Sequence, residues 1–240
     1  MRQSVALVTG ANKGIGKETV RQLASHADII YLACRDTKSG DEAKASLNLS
    51  HADIRVIQLD VTDTDSIQRA VAQVEQQSGK LDILINNAGV VLESKPPSES
   101  DVDLIRATFD VNLFGVISLT QAMLPLLRKG EEKTIVNLSS ELGSLTLHGY
   151  PDFPFYQVNL LAYNASKTAL NAFTVLLAKE LRDEGFHINA INPGYTATDL
   201  NAHSGPRSVE QAAAVVVKYA TQAENGPNGG FFTDGGVLPW

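Results

Sequence analysis

The chain of 240 residues holds a single cysteine, Cys34. No internal disulfide can form, so the fold relies on its core, and a reducing compartment, the cytoplasm, is expected. Cys34 ends an apolar run and reads as a small packed hydrophobe. There is no Lys/Arg cluster and the net charge is −7, which argues against nucleic acid or an anionic membrane as a partner. No apolar run approaches the length needed to span a bilayer. One basic residue, Arg2, precedes a strand-like run without a signal-peptide pattern. None of the five histidines has a metal-ligand partner at a diagnostic spacing, so no catalytic metal is expected. No long Pro/Gly linker and no internal repeat divides the chain. That implies one domain over 1–240, large enough to bury roughly three quarters of its unfolded surface.

What the chain does have is alternation. Short aliphatic or β-branched runs recur at 5–8, 29–33, 55–59, 82–85, 135–138, 188–191 and 230–232. Helical stretches lie between them, at 15–25, 43–49, from 64 onward, 101–128, 165–182 and 209–220. Ile67, Ala70, Val71 and Val74 fall at i, i+3, i+4 and i+7, one apolar helical face. The pattern predicts an α/β fold, a doubly wound, mainly parallel seven-stranded Rossmann-type sheet with helices on both faces. Ligands then sit at the carboxyl ends of the strands, near the topological switch point. The stretch 101–128 reads as broken near Asn112–Gly115. The segment 144–161 has weak periodicity, two prolines and the aromatics Tyr150, Phe153, Phe155 and Tyr156. It reads as a structured loop beside the site, its rings either facing a cleft or packing the loop onto the body.

Thr9-Gly10-Ala11-Asn12-Lys13-Gly14-Ile15-Gly16 follows the first strand and opens the first helix. A pyrophosphate needs backbone N–H groups at a helix N-terminus and no Cβ in its way. Gly10 suits the tight turn, Gly14 the approach to phosphates and Gly16 the close packing of helix on strand. The alternative is an ordinary strand-to-helix turn.

This spacing resembles the short-chain dehydrogenase/reductase family, and other landmarks agree in order. They are Asn86-Asn87-Ala88-Gly89 after the fourth strand, Asn112 in the middle helix, Ser139-Ser140 ending the fifth strand, Tyr163-Asn164-Ala165-Ser166-Lys167, and Asn192-Pro193-Gly194 followed by Thr198. The resemblance covers essentially the whole chain. The wording of the glycine turn, Cys34-Arg35-Asp36 and the end Gly230-Phe231-Phe232-Thr233-Asp234-Gly235-Gly236 are most similar to the carbonyl reductase-like members.

The family then implies a nicotinamide cofactor. An acidic residue after the second strand favours NAD, whereas a basic one accepts the 2′-phosphate of NADP. Arg35 is the first charged residue there, and Lys13 can reach the same phosphate, so NADP(H) is expected. Asp36 is a complication, because its carboxylate can serve NAD if Arg35 turns away. The resemblance places Asp60 and Val61 at the adenine, Asn86 and Ala88 along the adenosine ribose side, and Pro193, Gly194, Thr196 and Thr198 along the nicotinamide; Gly89 is also expected to bind the cofactor. Asn12 and Ile15 belong to the glycine turn. Asp60 can instead cap the helix that starts near Thr64.

Carbonyl reduction needs a hydride at carbon and a proton at oxygen. Tyr163 and Lys167 stand four apart and share a helix face. A free phenol has a pKa of about 10, and a cation beside it favours the phenolate. Lys167 is therefore expected to lower the Tyr163 pKa. By resemblance, Tyr163 donates the proton, Lys167 also holds the nicotinamide ribose, Ser140 bonds the substrate oxygen, and Asn112 holds a water on the path to Lys167. Ser140 rather than Ser139 matches the family's Ser-x-x-Gly.

Ser140 and Tyr163 are 23 residues apart, more than in many short family members. The extra stretch falls in 144–161, expected to wall the substrate cleft and to shield the catalytic helix. Monomer or homodimer is therefore favoured over tetramer. The helix after Thr198, over about 198–208, is expected to be a substrate lid, with Leu200 and His203 facing either substrate or solvent. The expected partner is a small carbonyl or alcohol, with a specific steroid, terpenoid or quinone ketone an undistinguished variant. A non-catalytic NADP(H)-binding sensor or scaffold is the reading of a different class.

Overall fold

The computed structural model describes residues 3–222 and 226–240; Arg2 lies outside the described residues. Eight strands form one sheet: β1 (Val5–Thr9), β2 (Ile29–Cys34), β3 (Asp53–Gln58), β4 (Ile83–Asn86), β5 (Thr134–Leu138), β6 (His187–Ile191), β7 (Phe231–Thr233) and β8 (Gly236–Val237). Their order is β3-β2-β1-β4-β5-β6-β7-β8. The first seven are parallel and match the seven-stranded expectation. The eighth is an antiparallel addition beside β7. Its two residues, between glycines and a proline, carry no readable period.

Every residue of β1, β2, β4 and β5 is buried, because helices cover both faces and no strand position meets water. Side-chain alternation then sorts one strand into two cores. Val5 and Leu7 of β1 pack on one face with Ile67, Leu119, Met123 and Leu177. Ala6 and Val8 pack on the other with Val20, Leu23, Val216 and Tyr219. The first core sits beneath α3 (Thr64–Ser78), α5 (Gly115–Lys129) and α7 (Leu161–Glu180). The second sits beneath α1 (Gly14–Leu23), α2 (Thr37–Leu47) and α8 (Val209–Ala220).

Two helices begin earlier than the periodicity suggests. α2 starts at Thr37, because the Asp36 carboxylate accepts from Lys38 N and Ser39 N and so starts a helix whose first turns are polar. α7 starts at Leu161, which puts Tyr163 in its first turn.

The long middle stretch is broken where expected. α4 (Val102–Phe109) passes into a π-helical turn, Asp110–Phe114, and then into α5. Together Val102–Lys129 is long and apolar enough to cross a membrane by length and composition, which corrects the expectation that no run reaches that length. Half of its most apolar window is buried, and Leu119, Met123, Leu126 and Leu127 lie in the first core, the placement of a core helix.

The segment 144–161 holds a short helix, α6 (Leu145–His148), and a chain of tight turns. The segment 198–208 carries one 3-10 turn, Asp199–Asn201, and no α-helix. The expected lid is therefore a loop, pinned by a bridge between Thr196 and Arg207.

Candidate active site

The carboxyl ends of β1 to β6 open onto one cleft of about 1620 Å³. A single small-molecule pocket holds roughly 300–1,000 Å³, so this one has room for a dinucleotide and a second molecule. It lies where the strand order reverses, between β1 and β4.

The glycine turn forms its floor on the β1 side. Lys13 occupies the N-cap of α1 with an extended backbone and no capping side chain. By contrast α2, α3, α4 and α8 are capped by Asp36, Asp63, Asp101 and Ser208. The first N–H groups of α1 are thus left for an anion. Gly14 takes a φ of +55°, and a Cβ on Gly16 would lie 2.6 Å from Gly10 O and 3.0 Å from Ala11 Cα. The Thr9 hydroxyl accepts from Asn87 N and Ala88 N, and Asn87 Nδ2 donates to Thr9 O and Gly10 O. These bonds tie the two turns across the switch point. The surfaces fit a dinucleotide: an uncapped helix end, a turn without Cβ atoms in the way, and a cleft of matching size.

Gly10, Asn12, Lys13, Gly14, Ile15, Gly16, Arg35, Asp60, Val61, Ala88, Gly89, Pro193, Gly194, Thr196 and Thr198 all line the cleft. Asn86 does not. It is 2% exposed and donates to Thr120 Oγ1 and Asn137 Oδ1 beneath the floor, while Asn87 takes the place on the surface. Asp60 does not cap α3 either; Asp63 does. The Asp60 carboxyl holds the turn through Thr62 N and Thr62 Oγ1. Burial opposes its ionisation, but the two Thr62 bonds and the nearby Arg35 charge together keep its pKa below the usual carboxylate value.

At the adenosine end, the carboxylate of Asp36 is committed to the α2 cap. Ser39 Oγ donates to Asp36 O and accepts from Asn12 Nδ2 at 3.1 Å, joining that cap to the glycine turn. Lys13 crosses the mouth of the cleft to Asp199 at 2.7 Å, and His203 meets the same carboxylate at 2.9 Å. The charge and hydrogen bond of Lys13, with that of His203, hold Asp199 below its ordinary pKa.

On the opposite side, α7 brings Tyr163 and Lys167 to the cleft, and the turn after β5 brings Ser140. Ser140 stands close enough to the Tyr163 hydroxyl to favour its ionised form. Ser139 is turned inward and donates to Asn171 Oδ1 at 2.6 Å. Lys167 Nζ donates to Leu138 O at 2.7 Å and lies over the Tyr163 ring, 5.6 Å from its centroid. Asn112, in the π turn, stands behind this group. Its Oδ1 accepts from Val90 N, and its Nδ2 donates to Val90 O and Ser166 Oγ. That clamps the strand-to-loop turn beside Gly89.

The electrostatics reverse one expectation. Burial pushes the Tyr163 phenol up to about 12, only partly offset by Ser140, and pushes Lys167 down to about 8. Desolvation penalises both charged forms. The ammonium is spent on a backbone carbonyl and the ring face, so it does not offset the penalty on the phenolate.

Residues 4–208 match the family model described as short chain dehydrogenase. The chain belongs to this family. Among its relatives, (−)-isopiperitenone reductase of Mentha piperita is 35% identical, with 96% of each chain covered. Salutaridine reductase of Papaver somniferum is 30% identical over 96% of this chain and 94% of the relative. The NADPH-bound carbonyl reductase from chicken fatty liver superposes with a TM-score of 0.88 at 28% identity, over all of both chains. This short-chain dehydrogenase is thus an oxidoreductase of the carbonyl reductase-like kind.

The substrate side of this short-chain dehydrogenase is built from loops. Of the four aromatics in 144–161, only Phe155 lines the cleft. It meets Tyr195 edge-on, with ring centroids 5.8 Å apart. Phe153 is buried against His148 and Phe155, and Tyr150 and Tyr156 are exposed. Leu200 and His203 both line the cleft. Sequence reasoning missed Thr9 and Asn87 as the clamp, Ser39 and Asp199 as partners of the glycine turn, and Glu93. The Asn-Asn pair offered a signal for Asn87. Glu93 offered none, because its partner, Tyr163 N, is 70 residues away.

Proposed function

We propose that this chain is an NADP(H)-dependent reductase of ketones or aldehydes, with Tyr163 as general acid. The observation that carries the reading is the meeting of Tyr163, Ser140 and Lys167 on one wall of a cleft whose other wall is an uncapped helix N-terminus. The nicotinamide, when bound, supplies the hydride. Everything else falls to the side chains. A phenol raised to about 12 keeps its proton at neutral pH, as a donor to a carbonyl oxygen must. Ser140 bonds the same oxygen and holds its developing charge. Lys167, buried and with a pKa of about 8, is protonated at neutral pH and would hold the ribose. Asn112 and Gly89 shape the turn beside Lys167, on the route by which a proton returns.

NADP over NAD rests on Arg35, with Lys13 able to leave Asp199 for a phosphate, and on Asp36 being held in its cap. The loop 144–161 and the segment 198–208 enclose the substrate. The loop borders α7, which favours a monomer or homodimer. Tyr163→Phe tests the reading. It should cut kcat for carbonyl reduction by at least about 10³-fold while NADPH still quenches or enhances fluorescence with nearly the same Kd. Turnover within tenfold of the wild type would overturn it, and tight NADPH binding without turnover of any carbonyl by the wild type would favour the scaffold reading.

A further inference from the structure

Two helices that open onto the cleft, α1 and α7, lack a capping side chain of their own. The end of α1 is accounted for by an anion site. The end of α7 is met by Glu93, from the loop after β4: Glu93 Oε1 accepts from Tyr163 N at 2.8 Å. A capping residue usually bonds the N–H three positions into the helix, and Tyr163 is that third residue of α7.

One oxygen suffices for that task, and the other is left over. Glu93 lines the cleft and is only 9% exposed. Its Oε2 is buried and has no hydrogen-bond partner. A buried acceptor without a donor is costly, and a carboxyl group needs several donors to be satisfied. Asn164 Oδ1, beside Tyr163, is also buried without a partner but does not line the cleft; among the described residues that do line it, Glu93 Oε2 is the buried side-chain atom left without one. It is also fixed to the backbone of the residue that delivers the proton. A donor bound to Oε2 is thereby registered against Tyr163.

We infer that Glu93 Oε2 is a substrate-recognition site, and that this enzyme prefers carbonyl compounds carrying a hydrogen-bond donor, a hydroxyl or an amine, away from the reacting carbonyl. The inference rests on the reductase reading and names a substrate class for it. A carboxylate accepts from both groups, and its charge adds attraction for an ammonium. A donor-free ketone leaves Oε2 as it is in the empty cleft, and a site with an unpaired buried polar group discriminates strongly against such analogues.

The test uses cyclohexanones bearing a methyl, hydroxyl or amino group at each ring position, with NADPH and the full chain. The wild type should show kcat/KM at least about tenfold higher for the best hydroxyl or amino ketone than for its methyl counterpart, about 1.4 kcal/mol. In Glu93→Gln, an amide nitrogen replaces Oε2 and presents a donor to a donor. The ratio should collapse at least tenfold, whatever happens to the absolute rates through the cap on Tyr163. Glu93→Met, which keeps volume and removes both oxygens, should collapse it too. An effect confined to the amino ketones and weakened by salt identifies ammonium as the preferred donor; an equal effect on both identifies the hydrogen bond. A wild-type ratio near one, or a ratio unchanged in both variants, overturns the assignment while leaving the reductase reading intact. NADPH binding without reduction of any of these ketones fails the reductase reading itself, and this inference with it.

Discussion

Replacing Lys167 by Met should inactivate the enzyme and stabilise the protein. Lys167 is 4% exposed, and burial lowers its pKa from 10.5 to about 8. At about 1.4 kcal/mol per unit, holding the ammonium in place costs about 3 kcal/mol. Methionine has similar length and no charge. Its introduction forfeits the bond to Leu138 O and leaves that carbonyl short of a donor, a loss of about 1–2 kcal/mol. A net gain of about 1–2 kcal/mol remains, which in a chain of this size raises Tm by about 2–8 °C. The pH dependence is the sharper readout. Below pH 8 both states of the wild type carry the proton, and the cost is fully present. Between 8 and 10.5 the unfolded chain binds more protons than the folded one, so stability climbs with pH. Tyr163 acts oppositely. Raised from 10.0 to about 12, it contributes stability that is complete below 10 and is lost as pH rises through 12. Cofactor-free protein followed by urea denaturation across pH 7–11 should show a climb and then a downturn in the wild type. The variant should show only the downturn. A variant less stable than the wild type at pH 7, or a difference between the two that stays flat from pH 7 to 10, would refute the reasoning.

Arg35→Ala should lower kcat/KM for NADPH by about 10- to 100-fold, the worth of a charge-assisted hydrogen bond to phosphate, with a change of a few-fold at most for NADH in the same steady-state assay. Asp36→Ala should lower Tm by about 2–4 °C, because about 1 kcal/mol of helix capping is lost. It should not impair NADH use; a tenfold fall there would make Asp36 a ribose ligand instead. Gly16→Ala forces a Cβ to within 2.6 Å of Gly10 O and against Asn87 Nδ2. The turn must shift, so NADPH affinity should fall at least tenfold by fluorescence titration, and stability by about 1–3 kcal/mol.

The middle of the sheet was legible because β1, β2, β4 and β5 are buried on both faces. Runs such as Val5–Val8 and Ile29–Cys34 are apolar throughout and bounded by turns. The start of α2 was not, since Thr37–Asp41 is polar and its helix depends on the Asp36 cap. The four positions proposed as catalytic were recognisable as motif residues, but their electrostatics were not. Four residues of helical spacing imply a shared face, not an ammonium hydrogen-bonded to Leu138 O nor a phenol whose pKa is raised to about 12. Asn86 and Asn87 show the same limit. One side chain faces the core and the other the cleft, and which is which depends on where β4 ends. Glu93 was invisible because a carboxyl in a loop without period signals nothing until the fold brings α7 against it.

The Thr9 hydroxyl has a consequence for engineering. One oxygen takes the two amides that follow β4, and Asn87 returns the bond to β1, so the nucleotide half of the cleft is latched by backbone geometry before any ligand arrives. The other half hangs on loops 90–95, 144–161 and 198–208, none of which takes part in that latch. A library that diversifies 144–160 and 199–208 alone, leaving Thr198 and 90–95 unchanged, should therefore keep its grip on the dinucleotide while its substrate range drifts. The molecule is in this sense a fixed chassis with an interchangeable front.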